Sequence, residues 1–313
     1  MQTILGAGGG IGIPLARELK NYTDDIRLVG RNPAKVNASD ELFAADLNDV
    51  GQIDKAIAGS EVVYVVVGFE YKLKVWREVW PTFMRAVIDS CKAHHARLVF
   101  FDNVYMYAES AIPHMTEEAP LQPPSNKGEI RKQLHEMIMA EVAQKNLTAL
   151  IARAADFYGP ENRNSAFSIM VADNLVKGKK AQAFGNLDRI HTYTYTPDAA
   201  KATAILGNTS DAYNQVWHVP TTKEKRTNRQ WIQLIADELK LEPKIQTVPA
   251  WMLHILGLFI PVMKEFPEML YQYKQDYIFD SSKFEKRFDF TTTTYPEGIR
   301  EIVETDYKAH SKS

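Results

Sequence analysis

A glycine-dense turn, Gly6-Ala7-Gly8-Gly9-Gly10-Ile11-Gly12, lies close to the start of the chain. A short apolar strand, Thr3-Ile4-Leu5, leads in, and a helical stretch, Ile13-Pro14-Leu15-Ala16-Arg17-Glu18-Leu19, leads out. Strand, glycine turn and helix in that order make a βα unit whose helix N-terminus can hold the pyrophosphate of a dinucleotide. Glycine suits the turn because a Cβ would keep the backbone away from the phosphates. Pro14 fits the first helical turn, where its missing N–H is no loss. Taken alone, such a run is equally a tight turn or a flexible tip. Its context favours the nucleotide: the next apolar strand, Ile26-Arg27-Leu28-Val29, ends in Gly30-Arg31, about 20 residues on, where a dinucleotide fold places its ribose-reading residue. No Lys-Ser or Lys-Thr follows the glycines, which disfavours a nucleoside-triphosphate P-loop.

The rest of the first half keeps a strand–helix rhythm. Strands are expected over 43–47, 62–68, 97–101 and 149–153, with helices over 50–58, 76–94 and 127–145 between them. The run Val62-Val63-Tyr64-Val65-Val66-Val67 is continuously apolar and β-rich, as a strand buried on both faces should be. Alternation of this kind predicts an α/β chain with a doubly wound parallel sheet. The second half is less regular. It suggests a helix over 167–177, short strands over 181–184 and 216–219, a helix over 228–239 and an apolar helical region around 250–270. We read 1–165 as mainly a dinucleotide-binding domain, and 166–313 as a mixed segment that completes the sheet and forms a smaller substrate lobe over its carboxyl edge.

At 313 residues the chain can bury a full core. Its formal net charge of -2, with basic residues scattered, implies no general affinity for nucleic acid or membrane. Cys91 is the single cysteine, which excludes an intramolecular disulfide and fits a reducing cytoplasm; it reads as a packed thiol on a helix. The eight histidines show no metal-ligand spacing, so no metal is expected. With a strand opening at residue 3, no signal peptide is expected. The apolar run over 251–263 is too short to span a bilayer and reads as core or interface. The tail over 310–313 is expected to fray.

Several landmarks in register resemble the extended and atypical short-chain dehydrogenase/reductases, the group that includes nucleotide-sugar epimerases and dehydratases. Gly6, Gly9 and Gly12 match that family's glycine spacing, with Gly10 and Ile11 inside it. Asp46-Leu47 matches the pair that contacts adenine, and Val67-Gly68 ends the fourth strand beside the cofactor. Asp102-Asn103-Val104-Tyr105-Met106-Tyr107-Ala108 stands where the family has a serine-rich segment ending in Val-Tyr-Gly. Arg153-Ala154-Ala155-Asp156-Phe157-Tyr158-Gly159-Pro160 looks like its Arg-x-x-Asn-x-Tyr-Gly-Pro signature, and Tyr195-Thr196-Pro197-Asp198-Ala199-Ala200 like a further segment. The resemblance runs from residue 3 to about 305 and implies a Rossmann-type fold with a C-terminal substrate lobe.

The departures bear on chemistry. The family's catalytic Ser or Thr aligns with Asn103, and the Tyr of its Tyr-x-x-x-Lys aligns with Gly128; only the lysine survives, as Lys132. Glycine cannot transfer a proton. Tyr105 is our preferred surrogate, with Lys132 as its cationic partner and cofactor contact and Asn103 as a carbonyl-polarising donor. Lys127 is a second surrogate, read against the alternative of a solvated helix-start lysine. The resemblance places Tyr107, Asp156, Tyr158 and His191 on the substrate side, each also open to a packing or turn role.

The residue after the second strand decides the nicotinamide. No carboxylate stands there to bind the ribose hydroxyls of NAD. Arg31, with Lys35 nearby, can pair with a 2′-phosphate, so NADP is expected over NAD. Two functions follow. One is an NADP-dependent oxidoreductase, or epimerase- or dehydratase-like enzyme, acting on a small carbonyl or alcohol compound, nucleotide sugars included. The other is a non-catalytic NADP-binding sensor or assembly protein. The long helices near 76–94 and 127–145 also allow a homodimer of the family kind.

Overall fold

The computed structural model describes residues 1–162, 165, 167–249, 251–253, 255 and 261–308. The expected apolar run over 251–263 and the tail over 310–313 therefore lie partly or wholly outside the described residues. The chain forms two compact units. The first gathers Met1–Met106, Asn126–Ala154 and Ala199–Val219; the second gathers Tyr107–Ser125, Ala155–Asp198 and Pro220–Ser313. The units are thus interleaved along the chain, where the sequence suggested one change of domain near 165.

In the first unit, strands β1 (Gln2–Leu5), β2 (Ile26–Gly30), β3 (Glu41–Ala44), β4 (Val62–Val65), β5 (Arg97–Asp102), β6 (Ala149–Arg153) and β7 (Val216–His218) build one sheet. Their order is β7-β6-β5-β4-β1-β2-β3, and every pairing is parallel. The order reverses at β1, so β1 lies between β2 and β4, in register Leu5↔Val29 and Leu5↔Val65. That reversal opens a crevice at the carboxyl ends of β1 and β4, the place where such sheets bind ligands. The third strand runs over 41–44 rather than 43–47, because Ala45 to Leu47 leave the ladder and lead into a helix.

Helix α1 (Gly12–Leu19) follows β1. Side chains along β4 alternate between the two faces. Val63 and Val65 join the core formed with the next three helices, α2 (Val50–Ile57), α3 (Leu73–Ala93) and α4 (Asn126–Ala143). Trp76, Trp80, Phe83 and Met84 of α3 and Leu134 and Ile138 of α4 are the main partners there. Tyr64 faces the other way. Its hydroxyl donates to Gln2 Oε1 at 2.8 Å, and its ring fills the space where a Cβ on Gly207 would stand, 2.2 Å from the hydroxyl oxygen. Only glycine at 207 lets its helix, Thr196–Gly207, lie against the tyrosine.

The second unit has two small parallel pairs, Asp156–Tyr158 with Tyr193–Tyr195 and Ala181–Phe184 with Ile245–Val248. Its core is aromatic: Tyr158, Tyr195, Trp231 and Tyr295 meet ring to ring. Helices Asn228–Glu238 and Tyr295–Asp306 each begin with a capping box, Thr227 with Gln230 and Thr294 with Glu297; such reciprocal bonds satisfy two backbone donors that a helix start leaves over. The expected helix over 167–177 opens with a π-helical turn, Ser168–Ala172, before one α-turn, Asp173–Val176.

Candidate active site

The glycine turn joins β1 to α1. Gly6 sits at φ +95, and a Cβ there would lie 2.6 Å from Val67 Cα, so the turn closes directly on the chain leaving β4. A Cβ on Gly12 would meet the Ala7 backbone at 2.7 Å. Both positions need glycine for close backbone approach. Gly8, Gly30 and Gly68 are different: a Cβ on any of them would meet nothing within 4 Å. They mark open space at the carboxyl ends of β1, β2 and β4. Helix α1 begins with no side-chain cap and no acid in its first turn, which leaves its leading N–H groups and dipole available to an anion. The cradle fits a dinucleotide pyrophosphate. Gly8 belongs to the sequence motif without standing out in it; its openness is legible only in three dimensions.

Around that cradle, Ile11 and Leu47 are buried and Asp46 is exposed. Asp46 Oδ1 accepts from Asn48 N at 3.1 Å and Asn48 Nδ2 at 2.7 Å. Arg31 follows β2 directly and is exposed. The nearest candidate acid downstream, Asp40, is buried and accepts from Val36 N, Asn37 N and Asn37 Nδ2. It closes its own loop and does not offer a carboxylate to a ribose.

At the end of β5, Asn103 donates its backbone N–H to Asp102 Oδ1 at 2.9 Å and accepts at Oδ1 from Tyr105 N at 3.0 Å. That second bond uses the amide oxygen as acceptor and leaves the NH2 as the donor end of the side chain, a group of the kind that can bond a carbonyl oxygen. Tyr105 is half-buried and stacks on Trp76, with ring centres 6.2 Å apart and planes 20° apart. The Lys132 ammonium lies 4.0 Å from Glu136 Oε1. On a helix each residue turns by about 100°, and the buried face of α4 carries Lys127, Arg131, Leu134 and Ile138, with Lys132 rotated off it.

Lys127 also departs from expectation: it is fully buried, not solvated. Its ammonium lies 4.8 Å from the centre of the Tyr71 ring. Arg131, one turn on, lays its guanidinium over Trp80 at 4.0 Å and Trp76 at 4.6 Å and pairs with Asp102 Oδ1 at 3.3 Å. Asp102 Oδ2 and Arg131 Nε are buried with no hydrogen-bond partner. Burial pushes the Asp102 carboxyl above its usual range, against the pull of Arg131 and Arg153. Arg153 is itself fully buried, with its Nη2 3.0 Å from His135 Nδ1. Burial and then Arg153 bring His135 down to about 4, which makes the imidazole the neutral acceptor of that bond. Sequence reading missed Tyr71, Asp102 and Arg131; charged residues at inward positions of one strand end and one helix face are the signal that was there.

In the second unit, two of the expected substrate residues meet. His191 Nε2 lies 2.9 Å from Asp156 Oδ2, which also accepts from the Tyr273 hydroxyl at 3.2 Å. The imidazole is held flat between Tyr277 and Tyr273, with ring centres 4.2 and 4.9 Å away and planes within 7° and 5°. His191 is 1% exposed and Asp156 25%, so the carboxylate is the accessible end of the pair. Tyr158 and Tyr107 do not share that access. Both are fully buried; Tyr158 lies in the aromatic core against Trp231 at 5.0 Å, and burial raises its hydroxyl well above the ordinary tyrosine range. Tyr158 is corrected from a substrate contact to a packing residue. Among the described residues no group of three or more His, Cys, Asp or Glu could hold a metal ion, and no helix is long and apolar enough to cross a membrane.

The model of the NAD dependent epimerase/dehydratase family matches residues 3–219. No curated protein sequence matches the chain. Among solved structures, the chain is similar to the UDP-glucose 4-epimerase of Thermus thermophilus in complex with NAD, at 16% identity over 97% of this chain and 98% of that chain, with a TM-score of 0.77. It is similar also to DesIV, a dTDP-glucose 4,6-dehydratase of Streptomyces venezuelae, with NAD and TYD bound, at 16% identity, 98% and 97% coverage and a TM-score of 0.79. The UDP-glucuronic acid 4-epimerase of Bacillus cereus in complex with NAD gives 15% identity, 99% and 100% coverage and 0.76. Identities this low establish the shared fold.

Proposed function

The chain belongs to the NAD-dependent epimerase/dehydratase family, and from this premise we propose that it is an NAD(P)-dependent oxidoreductase, epimerase- or dehydratase-like, acting on a carbonyl or alcohol substrate. Nucleotide sugars are within that substrate class. The observation that carries the reading is the cradle of open glycines, Gly8, Gly30 and Gly68, in front of an uncapped, acid-free helix start. When bound, the nicotinamide supplies or accepts a hydride at a substrate carbon.

This chain's own residues then have separable tasks. Gly6 and Gly12 shape the turn, the first N–H groups of α1 hold the pyrophosphate, and Asp46 with Leu47 receives the adenine. Arg31 favours NADP: it is exposed beside β2, and Asp40 is committed to its own loop. Asn103 offers its NH2 to the substrate oxygen, with the Tyr105 hydroxyl as a second group there. Lys132, half-buried and held only at 4.0 Å by Glu136, keeps its assignment to the nicotinamide ribose. In the second unit, Asp156 is the substrate contact and His191 and Tyr273 position it, since both bonds fall on Oδ2.

The test is a titration of the purified chain with NADPH and NADH, followed by NADPH oxidation over a panel of aldehydes, ketones and nucleotide sugars. Tighter NADPH binding and consumption by at least one compound are expected. Binding of neither nucleotide would overturn the reading. One observation favours a second reading, a non-catalytic NADP-binding sensor: Gly128 stands buried where the family's tyrosine aligns. Cofactor binding with no turnover over the whole panel would establish it.

A further inference from the structure

Two buried cations on α4 remain outside the tasks assigned so far. Lys127 and Arg131 are four residues apart and so lie one above the other on the helix's inward face. Both approach the same tyrosine. Lys127 stands 4.8 Å over the ring of Tyr71, and the charge on Arg131 reaches Tyr71 as well as Tyr105. Tyr71 is half-buried on the chain between β4 and α3, and it packs edge-on against Trp76 at 5.5 Å. It therefore belongs to the carboxyl edge of the sheet, on the same connection as Gly68 and its open space. The other charged groups around it have their own partners. Glu70, its neighbour in the chain, pairs with Lys72 at 2.6 Å. Asp102 faces Arg131, and Tyr105 stacks on Trp76.

We propose that Tyr71 is the proton-transfer residue of this chain and that Lys127 is the cation that stabilises its phenolate, a pair built from the loop after β4 and the first turn of α4 where position 128 carries no side chain. The proposal rests on the oxidoreductase reading. In the reducing direction Tyr71 gives its hydroxyl proton to the substrate's carbonyl oxygen while the carbonyl carbon receives a hydride. The C=O becomes CH–OH, NADPH is left as NADP+, and the phenolate takes a proton back from water. The reverse sequence oxidises an alcohol. A positive charge over the ring favours the phenolate and so suits the residue to exchange protons nearer neutral pH.

The experiment begins with the full chain and no cofactor, by following tyrosinate absorbance near 295 nm against pH. One tyrosine is expected to ionise about one to two pH units below free tyrosine. That early step should disappear in Y71F, persist in Y105F, move upward in K127M and return towards its place in K127R, with circular dichroism checking that each variant folds. The second readout is turnover of a compound from the carbonyl panel, where Y71F should lower kcat by about 100-fold or more. No early tyrosinate, or one that vanishes in Y105F in place of Y71F, overturns the proposal. So does a Y71F enzyme of undiminished kcat, which leaves the oxidoreductase reading standing. An early Tyr71 step in a chain that consumes NADPH with no compound overturns the oxidoreductase reading, and the catalytic role with it.

Discussion

Removing the charge of Asp102 should be among the most damaging single changes in the first unit. The carboxylate is completely enclosed and Arg131 is 7% exposed, 3.3 Å away. At an effective dielectric near 20, charges at that distance attract by about 5 kcal/mol. Withdrawing both from water costs a comparable amount, so the pair as a whole contributes little. Breaking it is another matter, because the surviving partner stays buried with nothing to balance it. Asp102→Asn keeps the shape and the bond from Asn103 N but takes away the charge that Arg131 pairs with. We expect a loss of about 3–5 kcal/mol. Arg131→Met keeps an apolar stem against Trp76 and Trp80 and leaves Asp102 beside Arg153, so its cost should be smaller. The double variant should cost less than the two singles together by about 1–3 kcal/mol. Urea unfolding followed by tryptophan fluorescence measures all three, since two indoles lie on the guanidinium. A cost below about 1 kcal/mol for Asp102→Asn, or strict additivity in the cycle, would refute the argument and mean that the carboxyl is already protonated at neutral pH.

Three further outcomes are expected. Arg31→Ala should weaken NADPH by about 10-fold, the scale of one charged hydrogen bond, and leave NADH unchanged; equal loss for both in calorimetry would remove Arg31 from the 2′-phosphate. Gly6→Ala should abolish binding of either nucleotide, because a Cβ would collide with Val67 and the residue holds φ +95; a variant that binds normally would show that the turn can shift. His135 is depressed to about 4 when folded, so the native state binds fewer protons than the unfolded chain between about 6.5 and 4. Its contribution is intact above about pH 6.5 and is lost as pH falls through about 4. Stability measured by urea across that window should fall less steeply in His135→Gln, and an identical slope would discount the assignment.

Local chemistry made the backbone of this fold legible. The glycine turn, the valine run of β4 and the strand–helix alternation each follow from short-range rules, and each appears in place. The face of α4 was not legible, because its buried side carries Lys127 and Arg131 where an amphipathic pattern would put apolar residues. Arg131 is covered by Trp76, Trp80 and Asp102 and Lys127 lies over Tyr71, all of them on elements distant in the sequence. Asp156 and His191 were each legible singly. Their union was not, since the clamp around the imidazole comes from Tyr273 and Tyr277, far downstream in the chain. Tyr158 misled for the same reason: a motif position says nothing of Trp231 and Tyr295 closing over it.

The interleaving of the two units has a consequence for synthesis on the ribosome. Strand β6 is complete at Arg153, but its outer neighbour β7 is not made until Val216–His218. Until then the emerging nascent chain presents β6 as an unprotected border, a ready template for a second polypeptide. A fragment ending near 165 would keep that border permanently. Its natural tendency would be to gather with its own copies, and a terminating mutation anywhere between 165 and 216 should yield inclusion bodies rather than a smaller working nucleotide-binding protein.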